Sequence, residues 1–594
     1  MKKILIILLF SFQIDANESI NKYFFSVKDA AHHLATIELE FSNVKQSSFE
    51  VKLPVWRSGR YEILDLSNNV RLFRAYSDQG KELAWFKTNK NSWEIDTNNS
   101  KTIKVSYQIY ANQLKNRVAH IDPTHAFLDA SGIFMFNQEQ RGKAIHISLN
   151  IPDDWRSFTG LKHLDANLFE AQNYDQLVDS PIETGINQMI AFDIDGIKYE
   201  LVIWGEGNHD INKIKVDIEK LHHQAKLIWK SFPYQRYVFM IHAGDQLRGA
   251  TEHVNSTIIQ TDRFNFFPDE KYNKFITTTS HELVHTWNVK AYRPQGITPY
   301  NYDSENYSKL FWVAEGTTSY YDRLLALRAG IYKAEVYFKD LAEDISKYLN
   351  KPGRNIMSLE QSSFDTWMQQ DENLEHNYSV DIYLKGSLVS WLLDQQIRLK
   401  TLNNKSLDDL QQLLYLKFNN SDIGYSSKDV LDLLKQLTNQ DFTTFWNDYI
   451  SGTKEIDFNQ LLNYYGLQFD QKEIKSNVGW IGIEVIDSEG FAEISKINSD
   501  SPAWQAGLTT GDQIIAINGF KVLPTTIIEM IENSSIEDRL EISYFNNGIL
   551  KKTMTQVSSQ ANNKLKIIAL KNPSYSQKQI FKSWLKQDLK TISF

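Results

Sequence analysis

Two stretches decide how this chain is read: His281-Glu282-Leu283-Val284-His285 and, downstream, Leu310-Phe311-Trp312-Val313-Ala314-Glu315-Gly316-Thr317-Thr318-Ser319-Tyr320-Tyr321-Asp322. On a helix, residues four apart carry Cβ atoms about 5–6 Å apart on one face, so the imidazoles of His281 and His285 can converge on one ion. Glu282 lies about 100° round the helix, within reach of a water at the metal without being a ligand itself. Phe275-Ile276-Thr277-Thr278-Thr279-Ser280 leads into this helix, with Thr279 or Ser280 as the expected cap. Glu315 stands alone in an apolar run, where a carboxylate is expensive to bury unless it is paired or bound to a metal. It is the expected third ligand. The bland readings are a chance match on a surface helix for the histidine pair and a simple salt bridge for Glu315; their joint occurrence argues for a metal.

A His2Glu set leaves one coordination position open, as catalytic zinc requires, and favours zinc over calcium or magnesium. One zinc ion is therefore the expected cofactor. A zinc ion so held lowers the pKa of its water toward about 7, and Glu282 is the natural acceptor of the proton as the water attacks a carbonyl, so the expected reaction is amide hydrolysis. The oxyanion that forms needs a donor, and a Tyr hydroxyl beside the metal would serve. With 28 Tyr in the chain, spacing alone does not select which.

Outward from this centre, composition sets the frame. At 594 residues the chain exceeds one hydrophobic core, and about 100–200 residues per domain implies three or four units. Hydrophobic residues at 42% and charged residues at 23% are ordinary for a folded, soluble protein. A net charge of -9 disfavours nucleic acid as a partner, since phosphate neutralisation needs clustered Lys and Arg. The absence of cysteine removes disulfides, thiol catalysis and thiolate ligands, so a metal site must be built from His and carboxylates. Lys2 and Lys3 ahead of an apolar run from Ile4 to Phe12, with the small residue Ala16 beyond, read as a signal peptide over residues 1–16. The expectation is an exported protein, periplasmic or secreted, with no stable membrane insertion after signal cleavage, because no other stretch has the roughly 18 apolar residues of a span.

The hydrophobic period changes twice along the chain. From residue 17 to 205, short alternating runs such as Thr36-Ile37-Glu38-Leu39-Glu40-Phe41 and Ile103-Lys104-Val105-Ser106-Tyr107 predict a β-rich domain. From 206 to 467 an apolar period of three or four, as in Leu407-Asp408-Asp409-Leu410-Gln411-Gln412-Leu413-Leu414, predicts a mainly helical domain with some strand near its start. From 476 to 558 short strands with Gly punctuation return, marking a small third domain. The tail, 559–594, carries Lys residues with Phe581 and Trp584 and reads as an amphipathic piece packed on its neighbour. The fold class is thus multidomain α+β.

The run from His281 to Pro294, HELVHTWNVKAYRP, and that from Trp312 to Gly330, WVAEGTTSYYDRLLALRAG, resemble the glycyl aminopeptidase family of zinc metallopeptidases. Leu53-Pro54-Val55-Trp56 with Gly59 and Tyr61, Gly249-Ala250-Thr251-Glu252-His253, and Tyr383-Leu384-Lys385-Gly386-Ser387-Leu388-Val389 agree in order, so the resemblance spans most of the chain. It implies a β-rich N-terminal domain, a thermolysin-like catalytic domain and a C-terminal PDZ domain, with aminopeptidase activity on small residues such as Gly or Ala. It makes Tyr383 the expected oxyanion donor and Glu252, with Gly249 and Ala250, the expected site for the substrate's free α-amino group. A cation fixed at one end of a pocket would place the first peptide bond at the metal. The family's usual Pro-Gly-Ser-Tyr is Ser58-Gly59-Arg60-Tyr61 here, and its Gly-Gly-Leu-Glu-His is Gly249-Ala250-Thr251-Glu252-His253, so Thr251 is expected to alter the floor of the substrate pocket.

The region 476–558 resembles a PDZ domain, with Trp480-Ile481-Gly482-Ile483 where a carboxylate-binding loop would lie. Such domains take extended peptides by strand addition, and loop N–H groups can hold a peptide C-terminus. The alternative is a groove closed by the chain's own segments. Peptide substrates are therefore the expected partners. The competing functions are a PDZ-assisted envelope endopeptidase and a catalytically silent peptide-binding protein.

Overall fold

The computed structural model describes residues 20–368, 371–470, 478–559 and 565–591. The expected signal peptide lies outside the described residues. No helix among them is long and apolar enough to cross a membrane. The chain forms two compact units: residues up to Met189 with Val202–Trp204, and Ile190–Leu201 with everything from Gly205 on.

The first unit is β-rich because its apolar residues alternate. Ile37, Leu39 and Phe41 of strand Leu34–Ser42 and Ile103, Val105 and Tyr107 of strand Thr102–Tyr110 are all at most 1% exposed, while the residues between them face outward. These strands pair antiparallel, Ile37 opposite Tyr107, within a seven-stranded sheet. Smaller sheets of four and three strands complete the unit.

In the second unit, strand Arg236–Gly244 runs parallel to Ser256–Asp262, which pairs antiparallel with the edge strand Arg248–Glu252. Helices then dominate: Ile211–Trp229, Asp269–His285, Thr317–Arg328, Ala334–Leu349, Leu384–Lys400, Leu407–Phe418 and Ser427–Thr438. Beyond them, strands from Ile483–Ser488 to Ile549–Gln556 enclose a separate small core of Ile481, Ile494, Ile514, Ile542 and Val557. This is the expected α+β arrangement: a β-rich N-terminal domain, a helical central domain and a β-rich C-terminal region.

The C-terminal helix Tyr575–Leu585 is amphipathic as read, and its apolar face closes the helical domain. Trp584, fully buried, stacks on Trp391 at a ring separation of 5.6 Å and meets the tilted Tyr465 ring at 4.3 Å. Its indole N–H donates to the Tyr320 hydroxyl at 3.0 Å. Tyr320 belongs to the helix that follows Glu315, so the tail braces the element next to the metal motif. Trp584→Ala is expected to lower the unfolding free energy by about 3–5 kcal/mol, read by chemical denaturation, chiefly through cavity formation; the Tyr320 hydroxyl keeps its bond to Asp394 at 3.2 Å.

Candidate metal centre

The motif helix runs Asp269–His285 and starts well before the position expected from sequence. Thr279 and Ser280 do not cap it: Pro268 holds the N-cap position, and the Thr279 hydroxyl donates back to the Phe275 carbonyl at 3.0 Å. That bond lets a β-branched hydroxyl residue stay inside a helix, which is why the Thr run continues the helix instead of opening it. Asp269 and Glu270 in the first turn favour its positive end.

His281 and His285 then meet as their spacing requires, with Nε2 atoms 2.9 Å apart. Glu315 Oε2 stands 3.3 Å from His285 Nε2 and 3.7 Å from His281 Nε2. Each outer ring nitrogen is engaged elsewhere: His285 Nδ1 lies 2.8 Å from the Asn288 carbonyl and His281 Nδ1 3.4 Å from Asp322 Oδ2. With those outer nitrogens as N–H donors, both Nε2 lone pairs face the same point as the Glu315 carboxylate. Two lone pairs and an anion converging at such distances repel unless a cation lies between them. The group fits zinc by ligand type, and the Asp322 and Asn288 contacts are the orienting partners that ligating imidazoles have.

Electrostatics agree. Burial alone would raise the Glu315 carboxyl, yet the facing imidazoles of His285 and His281 hold it well below the usual carboxylate range. For Glu282 burial wins, pushing the carboxyl up to about 7 against the pull of His281 and His285, with Glu252 and Glu315 adding to the rise. Glu282 is 5% exposed and its Oε2 has no hydrogen-bond partner among the described residues.

Glu315 is set in a π-helical turn, Trp312–Gly316, that continues into helix Thr317–Arg328. The widened turn is held from the motif side: the Asn288 amide donates to the carbonyls of Val313 at 2.8 Å and Ala314 at 3.3 Å and to the Thr318 hydroxyl at 3.1 Å. It is held from the other side by two glycines. A Cβ on Gly316 would lie 2.5 Å from Gly386 Cα, and one on Gly386 would lie 2.8 Å from Gly316 Cα. Only this bare crossing lets helix Leu384–Lys400 approach so closely, and Tyr383 heads that helix. The Tyr383 ring lies 6.2 Å from the His281 ring, and its N–H donates to Asp381 at 2.7 Å.

Glu252 ends the edge strand and is 7% exposed, and its charge acts on Glu282, His285 and Tyr383. Its partner is Lys290 Nζ at 3.8 Å, an ion pair too long for a hydrogen bond. Gly249, at φ 101, and Ala250 lie on the same sheet edge, whose open backbone groups are available to an extended ligand. Thr251, 1% exposed, alternates with Glu252 along the strand. Sequence reasoning also missed Val289, which holds φ 121 between the metal helix and Lys290. A β-branched residue there costs on the order of 1–3 kcal/mol.

The chain is a zinc metallopeptidase by the matches that follow, and the His2Glu cluster beside Glu282 is its candidate metal centre. The M61 peptidase N-terminal domain matches residues 22–186, the M61 glycyl aminopeptidase domain matches residues 274–389, and a PDZ domain matches residues 493–532. The chain thus carries an M61 peptidase N-terminal domain match, an M61 glycyl aminopeptidase domain match and a PDZ domain match in that order. A crystal structure of an aminopeptidase N family protein from Idiomarina loihiensis superposes with a TM-score of 0.88 at 25% identity, covering 95% of this chain and all of that one. An M1 zinc metallopeptidase from Deinococcus radiodurans matches at 12% identity and a TM-score of 0.44 over 70% of this chain and 90% of its own, too slight a likeness to argue from. No curated protein matches the chain.

Gly386→Ala is expected to cost about 1–3 kcal/mol by forcing the two helices apart, and to weaken zinc retention by displacing the Glu315 turn. Thermal melting and metal analysis after dialysis check both effects.

Proposed function

We propose that this metallopeptidase is an aminopeptidase hydrolysing the N-terminal peptide bond of substrates with a small first residue, Gly or Ala. The observation that supports it best is Glu252: a mostly buried carboxylate beside the cluster, paired without a hydrogen bond, and so with lone pairs left for a ligand's ammonium. In this reading His281, His285 and Glu315 hold one catalytic zinc ion. When bound, that ion supplies Lewis acidity and activation of water. Glu282 accepts the proton from the attacking water and passes it to the leaving amine, a task suited to a carboxyl near neutrality. The Tyr383 hydroxyl donates to the developing oxyanion. Glu252 anchors the α-ammonium, and the Gly249–Ala250 edge aligns the peptide backbone. The Gly or Ala preference rests on the family's description.

A second element of the reading concerns the PDZ region. A cavity of about 1210 Å³ opens between the Trp480–Ile483 loop and helix Ala334–Leu349, lined also by Ile528, Ile531 and Leu384. Strand Ile483–Ser488 is the sheet edge there. An open edge beside a loop of that kind suits a peptide C-terminus, with loop N–H groups meeting the carboxylate.

Glu282→Ala should keep zinc and lose on the order of 10²–10⁴-fold in kcat. His285→Ala should lose the catalytic ion and turnover together. Equal metal loss in both would end the separation of base from ligand. With amino-acid p-nitroanilides, free Gly and Ala substrates should be cleaved in a chelator-sensitive way while N-acetylated ones are not. Cleavage of blocked substrates alone would favour the endopeptidase, and no cleavage of either kind would favour the silent binding protein.

A further inference from the structure

Lys290 is unused by the reaction as derived so far, yet its position is held at a cost. Its side chain is 1% exposed, although Lys is among the residues least often fully buried. It is brought there by a tight reversal: His285 ends the motif helix, Val289 takes φ 121 with its N–H on the Trp287 carbonyl at 3.1 Å, and the Lys290 N–H returns to the His285 carbonyl at 3.0 Å. A β-branched residue in that conformation persists only where its surroundings over-determine it, and such residues gather at functional sites. The reversal delivers the Lys290 ammonium to 3.8 Å from the Glu252 carboxylate.

We propose that Lys290 is a positioning residue for substrate binding: it fixes Glu252 as an anionic anchor and trims the charge of the site to match a single α-ammonium. The proposal rests on the reading of Glu252 as the amine site. Glu252, Glu282, Glu315 and Asp322 surround the cluster, and Arg323, 3.8 Å from Asp322, is offset by its closer pair with Asp344. With a zinc ion and the Lys290 ammonium present and the imidazoles neutral, one negative charge remains in excess, which one substrate ammonium neutralises. Without Lys290 the excess is two, and the Glu252 carboxylate then gains by turning away from the other carboxylates toward solvent. The distance supports this role over a plain salt bridge. At 3.8 Å the ammonium holds the carboxylate by charge without occupying its lone pairs. The substrate's amine can therefore make the short charge-assisted bonds that Lys290 does not.

Two metal-binding inhibitors that differ only in the amine test this, alanine hydroxamate and propionohydroxamate, measured on the zinc-loaded full chain. The wild type should bind the amine-bearing compound at least about tenfold more tightly, the scale of a hydrogen bond to a charged group. Glu252→Ala should bring that ratio near one. Lys290→Met and Lys290→Gln should cut it about fivefold or more, with propionohydroxamate affinity, zinc content and thermal midpoint unchanged. A wild-type ratio in either folded Lys290 variant, with the ratio lost in Glu252→Ala, would overturn the proposal and leave the Glu252 reading intact. A ratio kept in Glu252→Ala would bring down the Glu252 reading itself. Equal weakening of both hydroxamates with a lowered midpoint in both Lys290 variants would make Lys290 a purely structural residue and overturn the proposal.

Discussion

Two imidazole nitrogens 2.9 Å apart, facing one carboxylate in a buried site, are the constraint on which the rest of the catalytic region depends. Such a convergence is unfavourable without a cation, so every neighbouring element has to hold the three groups against their own repulsion. The motif helix supplies the imidazoles at fixed spacing, and Asn288 and Asp322 fix their outer nitrogens. The π-helical turn re-aims Glu315 into the shared space, and Asn288 spends its amide on carbonyls that this widened turn leaves open. One residue of the motif thus serves both halves of the centre.

Much of this was legible in the sequence, and for a simple reason. The histidine pair, its glutamate and the lone carboxylate in an apolar run are local patterns, and helical geometry converts spacing directly into position. The alternating runs of the first unit were equally readable, because Ile37, Leu39 and Phe41 carry the strand period in their own order. Other features were not local. That Gly316 and Gly386 touch, and so admit Tyr383, depends on two helices crossing, and neither glycine announces it. The helix start was misplaced because Thr hydroxyls read as caps when they were bonding backward to helix carbonyls. Lys290 went unnoticed because its burial follows from an unusual φ at Val289 that no residue type signals.

The same distinction explains why the helical domain and the PDZ region fall in one unit although the hydrophobic period changes between them. Their junction is a seam of amide hydrogen bonds. Asn377 donates to the Ile497 carbonyl at 2.8 Å and accepts from Ser499 N–H at 2.7 Å, while Asn373 accepts from Ile497 N–H at 3.0 Å. His376 and the Asn498 side chain meet at 3.0 Å. Helix Glu372–Tyr378 has no apolar stripe to mark it as an interface, and only the fold makes its polar residues one.

That seam bears on the catalytic geometry. Asn377 is fully buried, and its amide is satisfied largely by backbone groups of the PDZ region. A buried amide left unpaired costs about 1–3 kcal/mol, so helix Glu372–Tyr378 keeps this conformation most readily with the PDZ region docked. The same chain segment runs on through Asp381, which fixes the backbone of Tyr383, to the head of helix Leu384–Lys400. The placement of the tyrosine beside the metal cluster is therefore secured from two directions: by the glycine crossing at Gly316 and Gly386, and by a polar seam whose other side is the PDZ backbone. A PDZ module carried on a free linker would supply only the first.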